Sequence, residues 1–477
     1  MKNKLFTMFI VLAVLFSVFV GSASAQAYNA NFTTSITYVN VGAATTTTLD
    51  LLFYGSADDT APTTYSLPAL APKAAGSLFV GNLDNTIVPA GFQGDAIMQS
   101  DQPMLVTLVQ IPQGSTTVKN RALSNGFGVG APKALIATVL KNQFNTNTVF
   151  SVQNADSEAN TAVFSFYNTS AVKVYEFSQE IKSGAAYYFD AGQVAGLGSA
   201  FNGSAVVQAT RTGGGAGSIV SSAMELEITT TGLKAFEGVA SGGTKYYMPS
   251  ALCLAFGGTN TSYAVQNTSL SNPTDVTVTY TDNTGATFTQ TKNIGPGAKA
   301  SFVACDAMND GTYGAAVVES SPEAIIAIGK AYGAGLSTAF NGVDMGYQVL
   351  GLPYVRWATN TDFAAGLKQR TFITIQNVGD ALAAGQEIKI DYVGPTGTIL
   401  GTHTYAVPAG GLANGAKFTS NASNAGLAEF GYYGSTFGGA AVITGPVGSE
   451  LAAVARVSSQ IGAGQFVSED YNSQSIP

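Results

Sequence analysis

The sequence contains few of the residues from which most active sites are built. It has one histidine, His403, two cysteines and one tryptophan among 477 residues. Zinc sites need clusters of Cys and His, and a serine hydrolase needs a histidine together with a motif such as G-x-S-x-G. His403 lies in a strand-like segment without that motif. We therefore predict a protein that is not an enzyme, with no catalytic residues and no bound cofactor or metal.

The scarcity of charge also limits the partners. Charged residues make up 10% of the chain, against about 25% in an average globular protein. The net charge is −8, from 21 Lys and Arg against 29 Asp and Glu. A weakly acidic chain cannot gather phosphate groups, so we exclude nucleic acid as a partner. The hydrophobic fraction of 46% is enough to bury cores, which excludes a disordered stalk.

The N-terminus is typical of a secretory signal. Two lysines precede an apolar run at residues 5–20, and Ala23-Ser24-Ala25 supplies the small residues of a cleavage site. The run is shorter than the roughly 20 residues of a membrane-spanning helix, which favours a cleaved signal peptide at residues 1–25 over an anchor. We expect an extracellular or cell-surface protein with no membrane-spanning segment in the mature chain.

A unit of about 110 residues recurs four times along the chain. Four strand-like segments end in asparagines spaced by 114, 113 and 110 residues, namely Asn40, Asn154, Asn267 and Asn377. An aliphatic residue follows each asparagine after 27 or 30 positions, namely Leu70, Ile181, Ile294 and Val407. A glycine before an apolar strand is the third landmark, at Gly94, Gly203, Gly314 and Gly439. We place the repeats at residues 26–128, 129–242, 243–346 and 347–477.

Between the landmarks, apolar and polar residues alternate as they do in strands. Val276-Thr277-Val278-Thr279-Tyr280 is the clearest case. About seven short strands per repeat predict an all-β fold of four tandem immunoglobulin-like β-sandwich domains. We expect the opening strands of repeats two to four at residues 133–140, 250–256 and 354–357. Short linkers at residues 236–239 and 340–343 predict that the domains stack as a stiff rod.

The first repeat departs from this pattern at its beginning. Only residues 28–34 precede the segment that ends in Asn40. Either these residues form a shortened first strand, or a strand from a neighbouring molecule fills the gap and links molecules head to tail.

The two cysteines, Cys253 and Cys305, both belong to the third repeat. An even number of cysteines in an exported protein favours a disulfide between them, worth roughly 3–4 kcal/mol in the chain-entropy model. The alternative is that they are two small buried residues that never meet. Residues 306–311 place three oxygen-bearing side chains beside Cys305, which indicates either an ordinary turn or an incomplete calcium loop.

Aromatic side chains are the candidates for stacking on a ligand such as a sugar. We assign this role to Trp357, Tyr247 and Tyr433. Each of the two tyrosines belongs to a Tyr-Tyr pair, and adjacent residues of a strand point to opposite faces. One ring of each pair is therefore expected to point inward and the other outward. The alternative is that these rings serve only packing.

The order of these motifs resembles tandem β-sandwich repeats in exported surface proteins of filamentous green non-sulfur (Chloroflexota-type) bacteria. The matching residues are 201–207, 265–267, 276–280 and 294–302. The resemblance implies an extracytoplasmic, Ig-like repeat protein and assigns no catalytic residue.

These features favour an exported structural or adhesive protein of the cell surface, in an envelope layer, sheath, filament or matrix. Its expected partners are further copies of itself, other envelope proteins or polysaccharide. The alternative is an extracellular binding module that recognises glycans or another surface protein.

Overall fold

The computed structural model describes residues 31–113, 120–228, 232–359, 368–433, 436–462 and 465–476. The predicted signal peptide lies outside these ranges, as do residues 28–30. The described chain is mostly β-strand, which confirms the predicted all-β sandwich class. Its helices are five short 3-10 turns, at Val80–Asn82, Ala191–Gln193, Ala195–Leu197, Ala304–Asp306 and Ala422–Ala425. No helix within the described ranges has the length and apolar character needed to span a bilayer.

Unit 1 contains the first seven strands: β1 Asn31–Asn40, β2 Leu49–Tyr54, β3 Thr63–Ser66, β4 Ala75–Phe79, β5 Asp95–Ser100, β6 Met104–Gln113 and β7 Ala122–Asn125. They form two antiparallel sheets, in the orders β4-β1-β6-β7 and β3-β2-β5. Asn31 to Thr34 belong to β1, which pairs with β4 and β6. These four residues are therefore not a separate shortened first strand.

Unit 2 contains eight strands: β8 Lys133–Lys141, β9 Thr146–Asn154, β10 Asn160–Asn168, β11 Lys173–Ile181, β12 Ala186–Asp190, β13 Phe201–Arg211, β14 Ile219–Glu227 and β15 Leu233–Glu237. Its sheets have the orders β11-β10-β13-β8 and β12-β9-β14-β15. The eighth strand, β15, includes Phe236 and Glu237, the first two residues of the predicted linker at residues 236–239.

Unit 3 repeats this arrangement with β16 Lys245–Cys253, β17 Asn260–Asn267, β18 Thr274–Asp282, β19 Thr287–Ile294, β20 Lys299–Val303, β21 Thr312–Ser321, β22 Ile325–Gly333 and β23 Leu336–Asn341. Its sheets have the orders β16-β21-β18-β19 and β20-β17-β22-β23. The opening strand runs from Lys245 to Cys253, so it overlaps the predicted residues 250–256 only in part. Pro249 lies at a register shift within β16, a position where a strand tolerates proline.

Unit 4 contains the remaining strands: β24 Val349–Leu352, β25 Trp357–Ala358, β26 Gln369–Asn377, β27 Glu387–Val393, β28 Ile399–Ala406, β29 Lys417–Ser420, β30 Tyr432–Tyr433, β31 Thr436–Phe437, β32 Ala440–Thr444, β33 Leu451–Gly462, β34 Gln465–Asn472 and β35 Gln474–Ser475. The main sheets have the orders β28-β27-β32-β24-β35 and β25-β26-β33-β34, with β29 also paired to β26. The opening strand β24 precedes the predicted residues 354–357.

The recurring asparagine is the last residue of one strand in each unit, namely β1, β9, β17 and β26. All four copies are fully buried. In unit 3, the Asn267 amide donates to the carbonyls of Asn272 at 2.7 Å and Ile294 at 3.0 Å. Asn40 and Asn154 likewise reach the Leu70 and Ile181 carbonyls. In units 1 to 3 the first two landmarks of the repeat are thus joined by a hydrogen bond. In unit 4 Asn377 donates to the Leu412 carbonyl, and the landmark Val407 is not its partner.

We expect Asn267→Ala to lower the free energy of unfolding by about 2–3 kcal/mol, because it leaves buried carbonyls without a donor. Urea unfolding followed by circular dichroism measures the change. The control is Asn293→Ala on β19, where an exposed amide donates only to Asp275; its effect should stay within about 0.5 kcal/mol. Equal effects of the two substitutions would contradict a stabilising role of the buried Asn267 hydrogen bonds.

The four units form a closed ring instead of the predicted rod. Their last strands contact one another in a cycle, β7 with β15, β15 with β23, β23 with β34, and β34 with β7. Each junction also has a hydrogen bond at the first residue of β4 or β29 or in the turn before β12 or β20. These bonds run from Lys182 N to Ala57 O (2.7 Å), Ser204 Oγ to Gly297 O (2.5 Å), Lys417 Nζ to Pro249 O (2.8 Å) and Ala75 N to Pro395 O (3.2 Å).

Equivalent residues at the ends of the last strands form a cycle of hydrogen bonds where the four units meet. The bonds run from Asn125 N to Glu237 Oε1 (2.6 Å), Glu237 N to Asn341 Oδ1 (3.2 Å), Asn341 N to Asn472 Oδ1 (2.9 Å) and Asn125 Nδ2 to Asn472 O (2.8 Å). Glu237 and Asn341 belong to the two segments predicted as linkers, so these segments help to hold the ring closed.

Candidate functional site

Tyr247 does not offer a ring for ligand stacking. It is 5% exposed and packs with Val378 and Ala452 of unit 4. Its hydroxyl accepts a hydrogen bond from the Asn414 amide at 2.9 Å. The two rings point to opposite faces of β16, as expected. Tyr246 lies in the core of unit 3. Tyr247 points away from that core, but unit 4 covers it, so its ring is not exposed to solvent. The assignment of Tyr247 as a stacking residue was therefore wrong.

Trp357 is half-buried at the edge of unit 4. Its backbone N–H donates to the Phe430 carbonyl at 2.8 Å, which fixes the short strand β25. The Arg370 guanidinium lies over the ring, 4.5 Å from its centroid, and Phe372 packs against it edge-on at 5.9 Å. Phe372 is 38% exposed. Trp357 and Phe372 thus form a small aromatic surface, although one face of the indole is already occupied.

Tyr433, the third predicted stacking residue, belongs to β30, but its side chain lies outside the described part of the structure.

Two exposed phenylalanines that were not predicted from the sequence lie in corresponding turns of units 2 and 3. Phe144 follows β8 and is 76% exposed, and Phe256 follows β16 and is 70% exposed. Both occupy the same place in their repeats, and both have positive φ, 51° and 47°. A bulky residue rarely adopts this conformation, and such strain is often found at functional positions. Phe256 also packs on Tyr313, with ring centroids 4.9 Å apart.

The single histidine belongs to a buried polar group. His403 Nδ1 lies 2.8 Å from Ser420 Oγ, which is 2.9 Å from the Tyr392 hydroxyl. Burial lowers the pKa of His403. Ser420 is fully buried, so its hydroxyl cannot reach a substrate. This arrangement fits packing between strands of unit 4 better than nucleophilic catalysis.

Cys253 and Cys305 form a disulfide, as the sequence predicts. Asp310 lies beside them, with Oδ1 3.5 Å from Cys253 Sγ. These three residues are the one group of His, Cys, Asp or Glu in the described ranges that is close enough to share a metal ion. Both sulfurs are consumed by the disulfide, so the group does not supply the thiolates that a zinc site requires.

A cleft of about 370 Å³ lies where unit 4 faces unit 3. It is lined by Val378, Gly379, Asp380, Ala381, Asn414, Gly448 and Glu450. Asn414 also holds the Tyr247 hydroxyl, so the cleft borders the junction of the two units.

No protein-family model matches the chain, and no curated protein matches it.

Proposed function

We propose that the protein is an exported structural or adhesive component of the cell surface, without catalytic activity. The observation that carries the proposal is the closed ring. Recurring polar residues hold the ring together: Asn267 bonds within its own unit, and the cycle of Asn125, Glu237, Asn341 and Asn472 joins the units. A rigid block of this kind suits a layer, sheath or matrix. The disulfide suits an oxidising compartment outside the cytoplasm.

The exposed phenylalanines supply a means of contact with other molecules. Phe144 and Phe256 project from corresponding turns of units 2 and 3. Burying a phenylalanine side chain contributes roughly 1.5–3 kcal/mol, so a repeated pair can hold a neighbouring surface through modest contacts. We propose that these turns join copies of the protein or attach it to other envelope components.

Electron microscopy of the mature protein tests this proposal. We expect filaments, sheets or other ordered arrays, and labelling of the native cell at its surface. The double variant Phe144→Ser/Phe256→Ser should form at least tenfold fewer arrays with an unchanged Tm. Val447→Ser is the matched control, because Val447 is 94% exposed and also lies in a turn. Arrays that persist in the double variant would contradict the role of the phenylalanines, and cytoplasmic labelling would contradict the proposal as a whole.

The alternative is a binding module that recognises glycans or another surface protein. The aromatic surface of Trp357 and Phe372 favours it. Monodisperse protein that binds a polysaccharide, with binding lost in Trp357→Ala, would support this alternative.

A further inference from the structure

One edge of strand β5 in unit 1 has no partner strand in the part of the chain that the structure describes. In the other units, the strand that follows the third landmark pairs with the opening strand: β13 with β8, β21 with β16, and β32 with β24. Their counterpart β5 pairs only with β2 within the described chain. The position of an eighth strand in unit 1 is therefore open along a row of backbone donors and acceptors.

On the side of this position opposite β5 lies the segment after β7, whose counterparts in units 2 and 3 bridge an opening strand. After the last strand of units 2 and 3, the chain turns back and bridges the opening strand, Val239 with Leu135 and Val343 with Tyr247. Phe127 is the counterpart of Val239, since it lies two residues after Asn125 as Val239 lies two after Glu237. Phe127 is 39% exposed and has no such bridge among the described residues.

The surface of unit 2 forms a third side of the open position. In unit 3, four residues lie under β8 of unit 2 and are buried: Ala264, Gln266, Ile326 and Ile328. In unit 1, the four counterparts lie under β24 of unit 4 and are also buried: Thr37, Val39, Leu105 and Thr107. The counterparts in unit 2 face the open position and are only half-buried: Ser151, Gln153, Val220 and Ser222. In unit 4, Gln376, Ala452 and Val454 are buried beside β16 of unit 3, and only Thr374 is half-buried. The cover is therefore least complete at the junction of units 1 and 2, where all four residues are half-buried.

The core of unit 1 is exposed at the same place. Ala205 and Val207 of β13 have no exposed surface. Ala96 and Met98, which correspond to them in β5, are only half-buried although they pack on the core of unit 1. A strand beside β5 would cover both.

The proposed cleavage would remove most of the residues of this chain that could fill the position. The spacing of 114 residues between Asn40 and Asn154 places the counterpart of β8 at residues 19–27. Cleavage after Ala25, on which the proposed export rests, would leave only Gln26 and Ala27 of these nine residues. The β5 strand of a second copy cannot occupy this position. In such a pair, unit 2 of each molecule would lie on the same face of the joined sheet, and the two copies of unit 2 would collide. A single strand without a second layer fits.

We propose that the slot between β5 and Phe127 binds a strand donated by another polypeptide, an extended segment of about nine residues. Its side chains would be small or apolar on both faces, because β8 is buried on both, against its own core and against unit 3. Pairing of this kind is the strand-addition mode of peptide recognition. The inference depends on the proposed export through the cleavage, but not on array formation.

A peptide with the sequence of residues 133–141, blocked at both ends, tests the slot. We expect saturable binding to the chain 26–477 by fluorescence anisotropy and a rise in Tm of several degrees. A peptide carrying Ile136→Pro and Val139→Pro should not bind, because proline removes backbone donors. Ser222→Trp should fill the slot from the side of unit 2 and weaken binding at least tenfold. Val174→Trp, on the exposed strand β11, is the matched control and should bind as the parent chain does.

Absence of binding to the chain 26–477 would overturn the proposal. Binding that survives Ser222→Trp would place the peptide elsewhere and would also overturn it. A chain that begins at residue 19 should have a higher Tm and no affinity for the peptide. If mass spectrometry shows that the native protein retains residues 19–25, its own segment occupies the slot and the donor in trans is excluded. None of these outcomes depends on whether arrays form, so the two proposals can fail separately.

Discussion

Replacing Glu225 by glutamine is expected to lower the free energy of unfolding by about 3–5 kcal/mol, the usual effect of removing one partner of a buried ion pair. Glu225 of β14 is 1% exposed and pairs with the Lys330 ammonium of unit 3. Thr138 donates to the same carboxylate at 3.1 Å, and Lys299 donates to Thr138 at 2.8 Å. The group therefore joins units 2 and 3 through charge.

The direction of the pKa shifts explains the size of this effect. Burial alone would raise the pKa of Glu225, but the adjacent Lys330 lowers it overall, so the carboxylate stays ionised. Burial, together with repulsion from Lys330, holds the pKa of Lys299 well below its usual range. Without the Glu225 charge, Lys330 would be a buried cation with no counter-ion.

A double-mutant cycle measured by urea unfolding checks this prediction. Glu225→Gln/Lys330→Met should recover much of the stability lost in Glu225→Gln, because Lys330 no longer leaves a buried charge without its partner and no longer repels Lys299. Glu176→Gln is the control, since Glu176 pairs with Lys173 on the surface and an exposed pair contributes about 0–1 kcal/mol. A loss below 1 kcal/mol in Glu225→Gln would show that the junction does not depend on this pair.

Replacing Asp95 by serine is expected to stabilise the protein at pH 8 and to have little effect near pH 4. Asp95 begins β5 and lies against unit 2, at the place that Ser204 holds in unit 2. Neither carboxylate oxygen has a hydrogen bond of normal geometry among the described residues. Burial raises the pKa of Asp95 to about 8, with a small further contribution from Asp59, and the nearby Gln153 offsets this only in part.

The sign of the pH dependence follows from proton binding. The folded protein keeps a proton on Asp95 up to about pH 8, whereas the unfolded chain releases it near pH 4. Stability therefore falls as pH rises from about 4 to 8. One pKa unit corresponds to about 1.4 kcal/mol, so even half of this shift is worth about 3 kcal/mol. Burial raises the pKa of Glu469 to about 7, which adds to the same trend.

Thermal unfolding at several pH values between 4 and 8 measures the effect. In Asp95→Ser the decline in Tm with pH should become shallower, and the gain over the parent should be greatest at pH 8. Asp101→Asn is the control with the opposite sign. Hydrogen bonds from Thr47, of which the bond from its hydroxyl has the largest effect, lower the pKa of Asp101. Asp101→Asn should therefore destabilise the folded protein at neutral pH. An unchanged slope in Asp95→Ser would refute the prediction.

The strands were predictable because their period follows from local geometry. Val276, Val278 and Tyr280 face the core and are fully buried, as the alternation in β18 indicates. The disulfide was predictable from cysteine number alone. The ring was not, because closure depends on which polar residues meet across units, and nothing in Asn125 or Asn341 by itself identifies a partner more than 100 positions away.

The candidate site was predicted less well, for a related reason. Alternation correctly placed Tyr246 and Tyr247 on opposite faces of β16, but a residue that leaves its own core can still be covered by a neighbour. Phe144 and Phe256 were missed because a phenylalanine in a turn has no distinctive pattern; their signal is recurrence at one repeat position together with positive φ.

The contacts that close the ring bring together the earliest and latest parts of the chain to be made. Arg121 N donates to Glu469 Oε1 and Asn125 Nδ2 to Asn472 O, across nearly 350 residues. Contacts so distant along the chain are slow to form, since the intervening loop must first be ordered. During synthesis, therefore, the first units keep their junction surfaces exposed until unit 4 has been made. We expect protease sensitivity of the nascent chain to persist until then and to disappear only when the last strand has docked.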